Sequence, residues 1–309
     1  MSFEDRDGYI WFDGEMVPWR EAKVHVLTHT LHYGMGVFEG VRAYKTDTHG
    51  TAIFRLKEHT KRLFNSAKII GMSLPFEVDA VNEAQRAVVR ENGLEEGYIR
   101  PMAFLGSEAM GLRADSLKTH LIVASWEWPS YMSPEALEKG IRIHTSSFTR
   151  HHVNITMCKA KANGNYMNSM MALREALDNG YEEALLLDVD GYVAEGSGEN
   201  IFIVRDNILY TPELTSCLDG ITRGTVIQLA NEQGYEVREK RITRDEVYIA
   251  DEAFFTGTAA EVLPICEMDN RVIGSGARGP VTGLLQSLYF DAVRGRNNDH
   301  PEWLSSVAD

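Results

Sequence analysis

Glu195-Gly196-Ser197-Gly198-Glu199-Asn200-Ile201-Phe202-Ile203-Val204, followed by Arg205-Asp206-Asn207-Ile208-Leu209-Tyr210, decides what kind of fold this chain can have. Its glycines invite two readings and satisfy neither. Gly196-Ser197-Gly198 opens like a dinucleotide fingerprint, but Ile201 stands where the third glycine belongs, and a strand-like run follows instead of a helix. A hydrolase nucleophile elbow needs a glycine two residues before the serine, and Glu195 occupies that place. Ser197 therefore reads as a turn residue. Asp206-Asn207 between two apolar runs is a two-residue hairpin signal, because both residues tolerate the positive φ such a turn requires.

Working outward, a second pair of strands flanks Asp190-Gly191, a strand is expected over 141–147, helices over 165–178 and 222–232, and a strand over 236–242. Upstream, Asp13-Gly14 joins Tyr9–Phe12 to Glu15–Val17 as a hairpin. Strands are expected over 37–44, 51–56, 98–105 and 120–126, and amphipathic helices over 57–70 and 77–91, where Leu63, Phe64, Ala67 and Ile70 recur at helical spacing. The fold class is mixed α/β (α+β). The division expected is a small N-terminal domain over 1–128, a Trp- and Pro-bearing connector over 129–140, and a larger domain over 141–309, with a loosely held tail from about Gly295.

Composition limits the function. At 309 residues there is chain for about two domains. A formal charge of −14 argues against a general nucleic-acid or anionic-membrane binder and leaves small molecules as partners. Three scattered cysteines, Cys158, Cys217 and Cys266, form neither a disulfide framework nor a thiolate zinc site, and no apolar run approaches the length of a membrane span. Without a signal-like start, the expectation is a cytoplasmic protein.

Three groups of residues could carry chemistry. His25, His29 and His32 have the spacing of a metal-binding helix face, but they lack an accompanying glutamate and run into Gly34 and Gly36, so no metal is expected. Lys161 sits at a turn in Lys161-Ala162-Asn163-Gly164-Asn165-Tyr166; a lysine there is either a solvated charge or, with its pKa lowered, a nucleophile toward a carbonyl such as that of pyridoxal phosphate. Such a cofactor needs a carboxylate at its pyridine nitrogen and donors at its phosphate. Glu195 could be the carboxylate or a solvated loop charge. Gly220-Ile221-Thr222-Arg223 could be an anion-binding helix start or an ordinary N-cap, and Thr256-Gly257-Thr258-Ala259-Ala260 a ligand-facing segment or a simple turn.

Taken together these segments resemble the fold-type IV family of pyridoxal-phosphate enzymes, and most of all its bacterial branched-chain amino-acid aminotransferases. The likeness runs from Tyr9-Ile10-Trp11-Phe12-Asp13-Gly14 to Arg278-Gly279-Pro280. It includes His32-Tyr33-Gly34, Val37-Phe38-Glu39-Gly40, Glu58-His59 with Arg62-Leu63, Tyr98-Ile99-Arg100-Pro101, Glu195 to Asn200, and Gly257 to Glu261. The resemblance implies two domains with the cofactor at their interface, and transamination of leucine, isoleucine and valine with 2-oxoglutarate to give branched 2-oxo acids and L-glutamate. It implies that Lys161, rather than Lys159, forms the Schiff base with pyridoxal 5'-phosphate, that Glu195 meets the pyridine nitrogen and Tyr166 the ring hydroxyl, and that Leu218 packs beneath the ring. Arg62, Ile221, Thr222 and Thr258 match the positions that hold the phosphate.

For the substrate, the resemblance assigns the carboxylate to Arg100, Tyr98, Ala259 and Ala260, and the apolar pocket wall to Phe38, Trp128, Tyr131 and Tyr166. Tyr33 and the Gly106–Leu112 loop would reach in from a neighbouring subunit, which implies a homodimer at least, with assembly to a hexamer left open. The rivals within the fold are a D-amino-acid aminotransferase and an aminodeoxychorismate lyase. A rival of another class is a non-catalytic metal-binding module built on the three histidines.

Overall fold

In the computed structural model, which describes residues 2–47, 50–128, 133–297 and 299–308, the chain divides into two units. One is Met1–Pro129 with Ala160–Gly164 and Ala292–Asp309, the other Ser130–Lys159 with Asn165–Asp291. Two segments that the sequence reading placed beyond residue 140 thus lie in the first unit. The reason is pairing: Ala162 bridges Val37, and the strand Leu304–Ser306 pairs antiparallel with Gly50–Phe54. The tail expected to be loose is docked, with Trp303 and Val307 buried.

In the first unit, Asp13 and Gly14 take φ of 49° and 104° and turn β1 (Tyr9–Phe12) onto β2 (Glu15–Pro18), as their sequence requires. There follow α1 (His29–Tyr33), β3 (Gly36–Phe38), β4 (Val41–Thr46), β5 (Gly50–Phe54), α2 (Leu56–Ile69), α3 (Val78–Glu91), β6 (Gly97–Leu105) and β7 (Thr119–Trp126). The sheet runs from Leu304–Ser306 through β5, β4, β6, β7 and β1 to β2, with β3 also on β6. Leu63 and Ala67 from α2 and Val81, Ala84 and Val88 from α3 pack with Val41, Ile53, Ile99 and Val123 of the strands. Each such valine or leucine contributes about 1.5–3 kcal/mol by leaving water, which is what seats the helices on the sheet.

The strand expected over 37–44 is interrupted at Glu39-Gly40. The Glu39 N–H donates to the Pro101 carbonyl at 2.9 Å, and a Cβ at position 40 would stand 1.8 Å from the Tyr98 hydroxyl, so only glycine lets the chain pass. This break turns the Glu39 side chain toward α2.

The second unit holds α4 (Pro134–Lys139), β8 (Ile141–Thr145), α5 (Tyr166–Asp178), β9 (Glu183–Leu187), β10 (Val193–Gly196), β11 (Asn200–Arg205), β12 (Ile208–Pro212), α6 (Ile221–Glu232), β13 (Val237–Lys240), α7 (Arg244–Tyr248), β14 (Glu252–Gly257), β15 (Glu261–Met268), β16 (Arg271–Val272) and most of α8 (Pro280–Val293). Its mixed sheet runs β10-β9-β8-β15-β14-β11-β12-β13, with β16 on β15. The expected connector contains α4, because Ser133 Oγ caps it by accepting the Ala136 N–H at 3.2 Å. The decisive stretch forms as read: Gly196 to Glu199 turns β10 into β11, and Asp206 and Asn207, at φ 52° and 61°, turn β11 onto β12. Among the described residues no helix is long and apolar enough to cross a membrane.

Candidate active site

In the first unit, β3 carries Phe38 beside the chain at Lys161. The Phe38 N–H donates to the Lys161 carbonyl at 3.1 Å, and the Lys161 N–H donates to Ser66 Oγ at 3.0 Å, so the lysine backbone is pinned between strand and helix. Its Nζ stands 5.2 Å from the Phe38 ring centroid, and the Arg100 guanidinium of β6 stands 4.7 Å from the same centroid. Arg100 also lies 5.4 Å from the Tyr98 ring, and its buried Nε has no hydrogen-bond partner among the described residues. Tyr98 packs on Trp128 at 5.2 Å. An amine, a guanidinium and an aromatic wall are thus assembled around one phenylalanine. Tyr131 lies outside the described residues.

Arg62 enters from α2. Its Nε and Nη2 donate to Glu39 Oε1 and Oε2 at 2.6 and 2.9 Å, and His59, one helical turn away on the same face, meets Oε2 through Nδ1 at 2.7 Å. Burial alone would raise the Glu39 carboxyl, but the Arg62 charge and the His59 hydrogen bond hold it well below the usual carboxylate range. Burial pushes His59 down despite that carboxylate. A neutral imidazole donating Nδ1–H to a carboxylate satisfies both groups.

Tyr33 and Leu112 stand apart from this assembly in one respect: they are exposed, at 43% and 89%. They ride on elements tied together, since the His29 N–H donates to the Gly106 carbonyl at 2.8 Å and His29 Nε2 to the Gly111 carbonyl at 2.7 Å. His32 Nε2 meets the Val26 carbonyl, and His25 Nδ1 takes the Leu27 N–H. Each of the three histidines thus puts one ring nitrogen on a separate backbone group, and no cluster of three metal-ligating side chains forms among the described residues.

In the second unit, a bulge between Val193 and Glu195 turns Glu195 out of simple alternation. Its Oε1 lies 2.7 Å from Arg150 Nε, and its Oε2 accepts the Leu218 N–H at 3.1 Å. Asn200 Nδ2 donates to the Leu218 carbonyl at 2.9 Å, while Lys159 Nζ donates to the carbonyls of Leu214 and, at 2.9 Å, Cys217. Lys159 is thus a clamp on the loop before α6. Gly220 caps that helix where a Cβ would stand 1.9 Å from Asn200 Oδ1. The N–H groups of Ile221 and Thr222 open the helix without intrahelical partners, the first closing bond being Gly224 N–H to Gly220 carbonyl at 2.9 Å. Thr258, Ala259 and Ala260 form the turn from β14 to β15, next to Thr256, whose buried Oγ1 has no partner among the described residues. Tyr166 is the first residue of α5.

The chain matches a known family. The amino-transferase class IV family model covers residues 36–268. The chain belongs to the class IV aminotransferases. It is 65% identical to the branched-chain-amino-acid aminotransferase of Pseudomonas aeruginosa, over 99% of this chain and 100% of the relative, and 46% identical to that of Escherichia coli K12, over 97% of each. It is also similar to the crystal structure of the T.th. branched-chain amino acid aminotransferase with pyridoxamine 5'-phosphate, at 50% identity and a TM-score of 0.95, over 98% of this chain and 99% of that one. The same enzyme complexed with 4-methylvaleric acid matches with a TM-score of 0.94.

Within this class IV fold, sequence reasoning missed the residues that stand behind the named ones. Glu39 and His59 occur in the segments quoted above but received no role, and Arg150 was not singled out at all. The cysteines are bystanders: burial pushes the Cys158 thiol up and Cys217 to about 12, so both stay thiols at neutral pH.

Proposed function

We propose that this class IV aminotransferase moves the amino group of leucine, isoleucine or valine to 2-oxoglutarate, with pyridoxal 5'-phosphate as its cofactor. The observation that carries the reading is the placing of Lys161 Nζ and the Arg100 guanidinium against one ring, Phe38, which sets a reactive amine and a carboxylate anchor at an apolar surface. The relatives named above bear the same activity in their names, with no D-specific enzyme among them.

The residues present fit the cofactor. Anion donors are available in the first unit in Arg62, and in the second in the Ile221 and Thr222 N–H groups and the Thr258 hydroxyl, with Thr256 Oγ1, which has no partner among the described residues, in the adjoining strand. Glu195 is a buried carboxylate fit to receive a pyridine N–H, Tyr166 the ring hydroxyl's partner, and Leu218 the apolar floor. When bound, pyridoxal phosphate supplies an aldehyde carbon and a ring that draws off the electron pair left by a departing α-proton.

The chain supplies the rest. Lys161 Nζ would hold the cofactor by its aldehyde carbon, and as a free amine would be the base that takes the proton from the substrate α-carbon. Arg100, Tyr98 and the backbone of Ala259 and Ala260 receive the carboxylates of both substrates, a task suited to a planar fork of donors. The side-chain pocket is assigned to Phe38 and Trp128 of the first unit and to Tyr166 of the second. The exposure of Tyr33 and Leu112 supports a homodimer in which each reaches a partner's pocket.

A visible spectrum of the purified protein tests this reading. A yellow band bleached by L-leucine and not by D-alanine is expected. Bleaching by D-alanine alone would reassign the chain to the D-specific relatives, and no band after added pyridoxal phosphate would overturn the cofactor reading.

A further inference from the structure

We infer that Glu39, backed by His59, is the positioning residue that aims Arg62 at an anionic group, so that a side chain with no surface of its own sets how tightly the cofactor phosphate is held; this rests on the cofactor reading above. The Glu39 side chain is 0% exposed and that of Arg62 13%, so the carboxylate lies behind and the guanidinium in front.

A free arginine pivots on a long stem and loses that freedom on meeting a ligand. Here two parallel N–H···O bonds, at 2.6 and 2.9 Å, fix the plane of the fork before any anion arrives. The guanidinium is thereby held in one orientation. His59 at 2.7 Å keeps the carboxylate from swinging in turn. Because Glu39 has no route to water, the arginine cannot leave without stranding a buried charge, so the anchor stays formed between turnovers.

The test is to titrate the stripped protein, as wild type and as Glu39→Gln, with pyridoxal phosphate and separately with pyridoxal, which lacks the phosphate. The lysine adduct band is the readout. The expected result is a Kd for pyridoxal phosphate raised roughly 10- to 100-fold and a Kd for pyridoxal changed by less than about 2-fold. His59→Gln keeps the Arg62 pair and should give a smaller shift of the same kind, and it carries the test should Glu39→Gln fail to fold. Parallel weakening of both aldehydes would show Glu39 to be structural only, and unchanged binding of both would remove its role altogether; either overturns the inference while leaving the cofactor reading intact. A wild type that binds neither aldehyde overturns the cofactor reading and this inference with it.

Discussion

Arg62 with Glu39 in the first unit and Arg150 with Glu195 in the second are the same ion pair used in opposite senses. In the first, exposure separates the members, and the carboxylate is the support. In the second, 8% for Arg150 and 6% for Glu195 do not separate them, but their other bonds do. Arg150 also reaches Ser169 Oγ at 3.3 Å and Asn168 Oδ1 at 3.4 Å on α5, whereas among the described residues Glu195 takes only the Leu218 N–H besides, which leaves lone pairs unused. Buried ion pairs add little net stability over apolar pairs of equal volume. What each supplies is one charged group held in place, a cation in one unit and an anion in the other.

The comparison can be broken at several strengths. Lys161→Ala should lower turnover by at least about 10³-fold while sparing the fold; steady-state rates near wild type would remove the chemistry the two pairs are said to serve. Glu195→Gln should cost about 10²-fold in the half-reaction with L-leucine, since a neutral amide no longer holds the ring nitrogen's proton. An unchanged single-turnover rate would make the second pair purely structural.

Arg62→Met and Arg150→Met each strand a buried carboxylate and should each lower unfolding stability by about 3–5 kcal/mol in urea titrations. A loss below about 1 kcal/mol in either would mean its carboxylate finds water. Acid gives a weaker effect with a defined sign. Burial holds His59 below its ordinary 6.5 and, with Arg150, His151 at about 4, so the unfolded chain binds these protons first, and stability falls as pH drops below 6.5. Glu39, held low, withdraws its share below 4.5. Glu183, raised by burial, acts oppositely, its share being lost as pH rises through 4.5. Urea midpoints that are flat from pH 7 to 4.5 would contradict the histidine directions. The smallest change is expected for Lys159→Ala, which should keep the lysine adduct band and slow turnover only a few-fold, about 1 kcal/mol for a loosened loop; loss of the band would exchange the two lysines' roles.

Much of this was legible in the chain. Asp13-Gly14 and Asp206-Asn207 announce their hairpins because positive φ is a local demand, and α2 and α3 show their apolar spacing directly. The residues assigned to cofactor and substrate could be named because they lie in short contiguous motifs such as Tyr98 to Pro101, Glu195 to Asn200 and Gly257 to Glu261. Their supports could not. Glu39 and Arg62 are 23 residues apart, and Arg150 and Glu195 meet only when β10 folds beside the segment after β8, so no spacing marks either pair. The elements from Arg244 to Val293 were missed as well, β14 and β15 being buried on both faces and so lacking alternation, and the break at Gly40 is fixed by the hydroxyl of a residue on another strand.

The strand Leu304–Ser306 has a consequence for synthesis. Its partner in the sheet, β5, leaves the ribosome some 250 residues earlier, since Leu304 pairs with Phe54. At about 5–20 residues per second the edge of the first unit waits on the order of tens of seconds for its neighbour, while the whole of β8 to β16 is being made. During that interval β5 is an open ladder of N–H and carbonyl groups, the kind of edge on which nascent chains associate. Chaperone demand during translation is therefore set by the first unit, and a chain halted before Leu304 would carry that open edge permanently.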